Sequence, residues 1–183
     1  MSENSVTIRR ITQDEGAAVV ELWDRMCQAV IDGGPLRPCG RRNLRRMLEI
    51  AAYHRDEFCL VAVRAGEIVG FAMGRLDAAG GLLPGVVGEA EELYAEDDDV
   101  RRRLAQAVLE RLQAAGAQVI RSTVDAEAPA EIAFWAGLGF EADMVTMSLY
   151  LPGPCPGCGA EVGPADCAAD DAAEGSAGSA EVG

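Results

Sequence analysis

Two cysteines near the end of the chain have the spacing that most directly suggests chemistry. Cys155 and Cys158 enclose two residues in the run Cys-Pro-Gly-Cys-Gly, whose glycines permit the tight turn of half a zinc knuckle. A structural zinc site takes four ligands, so we expect Cys167 as a third ligand and Asp170 as an imperfect fourth, where a complete ribbon would have cysteine. A redox-labile dithiol and a vestigial motif in a flexible segment are the alternatives that this spacing leaves open.

The remaining histidine and cysteines are isolated along the chain. His54 is the only histidine and follows a helical pattern in a polar stretch, so we expect an ordinary surface residue even though its pKa would suit proton transfer. Cys27 and Cys59 lie in apolar patterns that predict buried packing residues, and Cys39 also stands alone. Because the protein is expected in the cytoplasm, its cysteines are not interpreted as disulfides.

Length and composition are typical of one soluble globular domain. The 183 residues suit a single domain, and hydrophobic residues make up 49% of them beside 25% charged residues. No apolar run approaches the roughly 18 residues of a membrane-spanning helix. The N-terminal residues lack the basic flank and the apolar run of a signal peptide. The sequence therefore predicts a cytoplasmic protein without membrane contact.

Acidic residues outnumber basic ones. The net charge is −14, and the segment after Leu151 holds six acidic residues and no lysine or arginine. Residues 1–151 keep 24 acidic against 16 basic residues, a net charge of −8. This balance argues against general nucleic-acid binding, which depends on neutralising phosphates. It suits a cationic small molecule or a basic protein partner, or it serves solubility alone.

Hydrophobic periodicity gives the element order β-α-α-β-β-β-α-β-α-β. The expected strands cover 6–11, 58–63, 68–73, 89–95, 119–124 and 145–151. The expected helices cover about 17–30, 42–53, 99–115 and 131–138, the first after a capping box at 12–15 and the third capped by Asp98 or Asp99. This order predicts an α/β fold with a mixed central sheet flanked by helices. The domain is expected to span 1–151, followed by a flexible acidic tail at 152–183.

Three local motifs, in this order and spacing, resemble those of the GNAT N-acetyltransferase superfamily. Residues 60–72, from Leu-Val-Ala-Val to Gly-Glu-Ile-Val-Gly-Phe-Ala, resemble its central hairpin, and Glu92 to Ala95 resemble the end of its fourth strand. The run Phe-Trp-Ala-Gly-Leu-Gly-Phe at 134–140 is similar to the family's F-Y-x-x-x-G-F signature. The resemblance covers about residues 5–151 and implies the GNAT-type fold.

The resemblance implies a binding site for acetyl-CoA between the fourth and fifth strands. In the family these strands separate, and backbone amides at the start of the following helix bind the pyrophosphate, as the helix dipole favours. The residues that fall on those positions are Leu93, Tyr94 and Ala95 on the strand and Arg101, Arg102, Arg103, Leu104, Ala105 and Gln106 in the loop. Trp135, in the late signature, is expected to pack against the pantetheine arm or to fill the core.

The expected pyrophosphate loop departs from the family's Q/R-x-x-G-x-G/A pattern. Aligned without gaps, Val100 takes the place of the leading Q/R and Arg103 that of the first glycine, and only Ala105 fits. Four acidic residues at 96–99 lie just before it and should repel an anion. Two interpretations stay open: the amides still bind a CoA-type ligand with help from an arginine, or the site has decayed and the arginines pair with the acids.

Two adjacent glutamates on the fourth strand are the candidates for the base that the family uses to activate an amine. Strand alternation points Glu91 and Glu92 to opposite faces, so only one can enter the cleft. Glu92 is favoured because it immediately precedes the Leu-Tyr-Ala segment, and Tyr94 is a further cleft candidate. The tyrosine that acts as a general acid in the family falls on Trp135, whose indole N–H cannot act as a general acid.

The sequence thus predicts an N-acyltransferase that moves an acetyl group from acetyl-CoA to a primary amine on a small molecule or a protein. The alternative is a catalytically inactive GNAT-like module with a binding or regulatory role, and an adaptor acting through the tail is a third hypothesis. Fold motifs do not decide between these functions. Acceptor specificity is expected in the first two helices and the loop at 78–88, and a homodimer is a further expectation.

Overall fold

The computed structural model describes residues 5–30, 35–77 and 85–143. The strands are β1 (Val6–Arg10), β2 (Glu57–Arg64), β3 (Glu67–Asp77), β4 (Val87–Ala95) and β5 (Val119–Arg121). The helices are α1 (Gly16–Val30), α2 (Pro38–Ala51), α3 (Asp98–Ala114) and α4 (Pro129–Ala136). The predicted element order is confirmed as far as α4. The closing strand expected at 145–151 and the tail at 152–183 lie outside the described residues, so the domain boundary stays a prediction.

The described strands form one mixed sheet in the order β1-β2-β3-β4-β5. The first four strands pair antiparallel with their neighbours, and β4 pairs with β5 in parallel. A parallel connection needs a crossover, and α3 supplies it. The mixed sheet flanked by helices that the sequence predicted is therefore confirmed.

Side chains that alternate along β2 build two cores, one on each face of the sheet. Phe58, Leu60 and Ala62 belong to the core that α3 covers, whereas Cys59 and Val61 belong to the core under α1 and α2. Each of these residues is at most 5% exposed. Burying a large apolar side chain contributes about 1.5–3 kcal/mol. These two cores fix the sheet between its helices.

The ends of α2 explain why this helix begins earlier than the apolar pattern indicates. Pro38 occupies the first turn, where its missing N–H costs nothing. At the other end, the Arg10 guanidinium donates to the carbonyl of Ala51 at 3.0 and 2.7 Å and to that of Glu57 at 3.0 Å. A cation on the last carbonyls stabilises a helix C-terminus. The bond also ties β1 to α2.

The capping box expected before α1 is held by a glutamate. Glu15 accepts a hydrogen bond from the Thr12 amide at 2.9 Å and a second one from Arg9 at 2.8 Å. The bond from Arg9 is the main reason that the pKa of Glu15 falls to about 2. The carboxylate stays charged at ordinary pH and fixes the turn that leads into α1.

The isolated cysteines and the histidine have mainly structural surroundings. Cys39 and Cys59 are buried, and burial raises the pKa of Cys59 to about 12. Cys27 is only half-buried, so the expectation of a fully buried Cys27 was wrong. His54 is exposed, as expected, and its Nδ1 accepts bonds from the amides of Asp56 and Glu57 at 3.3 and 3.1 Å. Within the described ranges, no helix has the length and apolar character needed to cross a membrane.

Candidate functional site

The strand β4 pairs with β5 only over the first three residues of β4, which is the whole length of β5. Their pairing runs from Val87 opposite Val119 to Glu89 opposite Arg121. Beyond Glu89, β4 continues to Ala95 while pairing only with β3 among the described residues. The separation expected from the resemblance is therefore present. We call the gap beside Ala90–Ala95, between α3 and α4, the β4/β5 opening.

A β-bulge turns the β4 glutamates relative to the rest of the strand. Ala72 pairs with Leu93, but Gly74 pairs with Ala90, so Glu91 and Glu92 together oppose a single β3 residue. As a result Ala90 and Leu93 both pack into the core under α3. The simple alternation used for the sequence expectation does not hold at this point. Bulges often re-aim a side chain beside an active site.

Glu92 lies at the edge of the β4/β5 opening without a polar partner among the described residues. It borders a shallow depression lined by Ala90, Leu93, Val108 and Trp135, which has no room for a water molecule. The side chain is exposed, yet the protein atoms around its carboxylate raise its pKa, and the charge of Glu91 raises it further. An ionisable group with a raised pKa and no bound cation is suited to take up a proton.

Glu91 has a different environment from its neighbour. Its carboxylate accepts from Arg75 Nε at 3.1 Å, and Arg75 also pairs with Glu89. Burial raises the pKa of Glu91, and Arg75 partly offsets this effect. Glu91 is therefore neutralised in an ion pair, which leaves Glu92 as the freer carboxylate of the two.

The side of β4 that faces α1 is lined with aromatic rings. Trp23 stacks on Phe71 with ring centroids 5.2 Å apart, and Tyr94 tilts against the same ring at 6.3 Å. Burial is the largest cause of the raised pKa of Cys27 on α1, and the negative charge of Glu92 raises this pKa further. Tyr94 thus belongs to the α1 side of the site, whereas Leu93 and Ala95 pack toward α3.

The N-terminus of α3 is capped by the chain's own carboxylate. Asp97 is the cap, where the sequence indicated Asp98 or Asp99, and its carboxylate accepts from the amides of Asp99 at 2.9 Å and Val100 at 3.2 Å. These bonds, with Arg64 at 3.1 Å, lower the pKa of Asp97. The amides that would attract an external anion are already bonded to an internal one.

The segment expected to bind a pyrophosphate is regular helix, as the apolar pattern over 99–115 predicted, and does not form the open loop of the family motif. Because α3 begins at Asp98, amides from Arg102 onward donate within the helix, and the Arg101 amide donates to the Asp97 carbonyl at 2.9 Å. The physical reason is the missing glycines, since arginine, leucine and alanine favour helix. Leu104 and Ala105 are buried against the sheet, and Gln106 is exposed.

The three arginines at the start of α3 point to different places. Arg101 pairs with Glu131 of α4, and its guanidinium lies 4.1 Å from the centre of the Phe134 ring. Arg102 is exposed, 6.0 Å from the same ring. Arg103 donates to the Val6 carbonyl at 2.9 Å, on the edge strand farthest from β5. Arg103 therefore does not fill the β4/β5 opening, and of these three arginines Arg101 and Arg102 lie on its α4 side.

Trp135 is a core residue at the β4/β5 opening. It is 5% exposed and packs into the core under α3, in edge contact with Phe134 and Phe140 at 5.5 and 5.0 Å. Its indole Nε1 donates to Glu131 at 3.0 Å. Trp135 therefore fills the core, and its contact with a pantetheine arm stays a prediction.

Two residues of this site, Asp97 and Glu131, were missed at the sequence level. Glu131 is four residues before Trp135 on a helix, a spacing that could have indicated their contact. Its pairing with Arg101 joins positions 30 residues apart, for which the sequence carries no signal. Asp97 stands in a run of four acidic residues that are equivalent by pattern.

The proposed zinc ligands Cys155, Cys158 and Cys167, with Asp170, lie outside the described residues and stay a prediction. The same is true of most of the loop at 78–88. Elsewhere in the part of the chain that the structure describes, no group of three or more His, Cys, Asp or Glu residues could hold a metal ion.

Solved structures with this fold include proteins of several activities. A transcriptional regulator from Bacillus halodurans C-125 has a TM-score of 0.68 and 18% identity over 80% of this chain and 100% of that chain. The aminoglycoside N-acetyltransferase AAC(6')-Iy in complex with CoA has a TM-score of 0.63 and 18% identity over 81% and 95%. Glucosamine-6-phosphate N-acetyltransferase from Arabidopsis thaliana has a TM-score of 0.62 and 16% identity over 80% and 98%. At these identities the likeness shows the fold alone.

Family membership is shown by the sequence itself. No curated protein matches the chain in sequence. The model of the acetyltransferase (GNAT) family, however, matches residues 23–140, which include α2, α3, α4 and the β4/β5 opening. The chain therefore belongs to the GNAT acetyltransferase family.

Proposed function

We propose that the protein is an N-acetyltransferase that transfers an acetyl group from acetyl-CoA to a primary amine, with Glu92 as the general base. The observation that carries the proposal is the position of Glu92, an unpaired carboxylate with a raised pKa at the edge of the β4/β5 opening. Family membership supports the reaction class. The proposal keeps the cytoplasmic location expected from the sequence.

Acetyl-CoA fits this site in part. On the side that faces β5, β4 has no strand partner from Ala90 to Ala95 in the described ranges. The backbone groups on that side are therefore available to an amide-bearing arm. Arg101 and Arg102 in the first turns of α3 would bind phosphate through their side chains, and Arg64, which pairs with the cap residue Asp97, is a third cation at this end. The backbone amides of this helix do not fit, because Asp97 and the helix itself use them. When bound, acetyl-CoA would supply an acetyl group activated as a thioester.

Each residue of the site has a task that its surroundings support. The Glu92 carboxylate would take a proton from the ammonium form of the acceptor, which makes its nitrogen nucleophilic. Trp23 and Tyr94 offer aromatic faces that suit a cationic group on the α1 side. Trp135 would exclude water but cannot protonate the departing thiolate. A thiolate of pKa about 8.5 leaves without full protonation.

The nature of the acceptor follows from charge more than from shape. Two of the solved structures act on an aminoglycoside and on glucosamine-6-phosphate. The Glu92 carboxylate, with the partly buried rings of Trp23 and Tyr94 on the α1 side, favours a positively charged amine, on a small molecule or on a protein. We therefore propose a cationic primary amine as the acceptor class.

A non-catalytic GNAT-like module is the second candidate function. Two observations favour it: the Asp97 carboxylate occupies the amides at the start of α3, and Trp135 fills the β4/β5 opening. Such a protein would bind acetyl-CoA weakly or not at all. Calorimetric titration with acetyl-CoA separates the two functions, because saturable binding supports the enzyme and an absence of heat at millimolar ligand supports the module.

Activity is tested by the release of free CoA from acetyl-CoA in the presence of a panel of polyamines, amino sugars and lysine peptides. We expect Glu92→Gln to lower kcat about 100-fold, the usual effect of removing a general base. The matched control is Glu110→Gln, an exposed carboxylate on α3, which should leave the rate unchanged. Full activity of Glu92→Gln would refute the role of Glu92.

A further inference from the structure

A continuous set of contacts joins the first turn of α3 to the tryptophan in the β4/β5 opening. Arg101 pairs with one oxygen of Glu131, and the indole of Trp135 donates to the other oxygen at 3.0 Å. We call these three residues the Glu131 bridge. The Glu131 carboxylate accepts from both partners at once. Displacement of this carboxylate by a change at Arg101 therefore also breaks its hydrogen bond with Trp135.

The Glu131 bridge is shielded enough to matter energetically. The side chains of Arg101 and Glu131 are 21% and 33% exposed, and Phe134 covers one face of the guanidinium. Ion pairs that are partly removed from water and hydrogen-bonded are stronger than those on an open surface. Arg101 is thus committed to an internal anion.

Arg101 is also one of the two α3 arginines that lie near Phe134, on the α4 side of the β4/β5 opening. Arg103 is bonded to β1, and the amides at the start of α3 are used by Asp97. Among the arginines of α3, an external anion that reaches this end of the opening can therefore draw on the side chains of Arg101 and Arg102, beside Arg64 at the cap. For Arg101, it competes directly with the Glu131 carboxylate.

We propose that Glu131 sets the affinity of this protein for a phosphate-bearing cosubstrate, by holding Arg101 and by keeping Trp135 in the β4/β5 opening. The inference rests on the proposed function. Binding of a pyrophosphate group to Arg101 displaces Glu131, the indole loses its acceptor, and Trp135 leaves space for the arm of the cosubstrate. Glu131 is a positioning residue in this scheme, and it touches neither the acetyl group nor the acceptor.

The first test measures affinity on the full chain by calorimetry, with CoA and with inorganic pyrophosphate as probes. We expect Glu131→Gln to bind both probes about tenfold more tightly, because the charge that competes for Arg101 is gone while a neutral oxygen still accepts from the indole. Glu127→Gln, an exposed acid on the connection before α4, is the control for net charge and should change affinity by less than twofold. A merely structural role for Glu131 would weaken binding or leave it unchanged.

A double-mutant cycle shows whether the gain acts through Arg101. Arg101→Ala should weaken pyrophosphate binding, and adding Glu131→Gln to it should restore nothing. If Glu131→Gln raised the affinity for pyrophosphate equally with and without the Arg101 side chain, the proposed role of the Glu131 bridge would be wrong.

The second test follows Trp135 without requiring any ligand. The chain has two tryptophans, so Trp23→Phe leaves Trp135 as the single reporter. We expect Glu131→Ala in this background to shift the emission to longer wavelength, and pyrophosphate to produce the same shift when Glu131 is present. Circular dichroism confirms that each variant is folded.

The outcomes separate the inference from the proposed function. If CoA binds the natural chain but Glu131→Gln binds it no more tightly, the inference fails and the acetyltransferase proposal stands. If no variant binds CoA, the acetyltransferase proposal fails. The emission of Trp135 in Glu131→Ala then still tests whether Glu131 holds Trp135 in place. An unshifted spectrum would show that it does not.

Discussion

The bulge on β4 and the N-terminus of α3 lie a few residues apart in the chain but treat their polar groups in opposite ways. At the bulge, Glu92 is left without a polar partner and with a raised pKa. At the start of α3, Asp97 and Glu131 satisfy the amides and Arg101 from within the protein. Under the proposed function, the Glu92 carboxylate could act as it stands, whereas a phosphate at the start of α3 would have to displace internal partners.

This difference arises from what each segment contains. Two residues opposing one in the sheet leave a side chain outside the regular pattern, and no described residue forms a hydrogen bond or ion pair with Glu92. The start of α3 lacks glycine and carries acids and arginines together, so it forms helix and pairs its own charges. A GNAT fold can thus leave a carboxylate free on its fourth strand while the start of the following helix bonds to the protein's own charges.

The largest expected effect tests whether Trp135 is part of the hydrophobic core at the β4/β5 opening. Trp135→Ala should lower the free energy of unfolding by about 3–5 kcal/mol, because a buried indole and its packing are lost. Urea unfolding followed by circular dichroism measures the change. Ile132→Ala, an exposed residue of the same helix, is the control and should cost less than about 0.5 kcal/mol. A small loss for Trp135→Ala would mean that the β4/β5 opening is not packed by the tryptophan.

A smaller effect is expected from opening the anion site at the start of α3. Asp97→Ala should cost about 1 kcal/mol of stability, the usual loss for a helix cap. It also frees the amides of Asp99 and Val100, so inorganic pyrophosphate should bind more tightly in a calorimetric titration.

Asp97→Ser is the matched variant for this prediction. Serine keeps the cap without the charge, so stability should stay near that of the natural chain while affinity for pyrophosphate rises less than in Asp97→Ala. Weaker pyrophosphate binding in both variants would contradict the view that Asp97 competes with phosphate.

The smallest effect concerns the base itself. The charge of Glu91 contributes to the raised pKa of Glu92, so Glu91→Gln should lower that pKa. A base acts in its deprotonated form, and the acid limb of the pH profile of kcat/KM should therefore move to lower pH. Glu110→Gln should leave the limb in place. A shift toward higher pH would show that another group titrates.

Sequence reasoning reached the fold because the relevant signals are local. The apolar positions Val100, Leu104, Val108 and Leu112 recur at helical spacing, and all four are buried in α3. The turn between β2 and β3 was expected from its residues, although Ala65, with a φ of 51°, takes a left-handed conformation that alanine rarely adopts.

The site was predicted less completely because its groups depend on neighbours far away in the chain. Glu92 was selected from two adjacent glutamates, and its catalytic role stays a prediction. Residues 101–106 form the helix that the apolar pattern predicted, but Arg103 donates to the Val6 carbonyl, which is 97 residues away. No local pattern distinguishes an arginine that meets a strand edge from one that meets a ligand.

The sequence by itself determined the order of the elements, the two apolar faces of the sheet and membership of the GNAT family. Periodic apolar residues suffice for this, since burial depends on which side chains repeat and little on their exact partners. Tertiary structure alone decided which polar groups are satisfied: the bulge that turns Glu92, the bond from Asp97 to the α3 amides, and the Glu131 bridge. Hydrogen bonds and ion pairs are directional and short, so they form only where folding has already brought distant segments together.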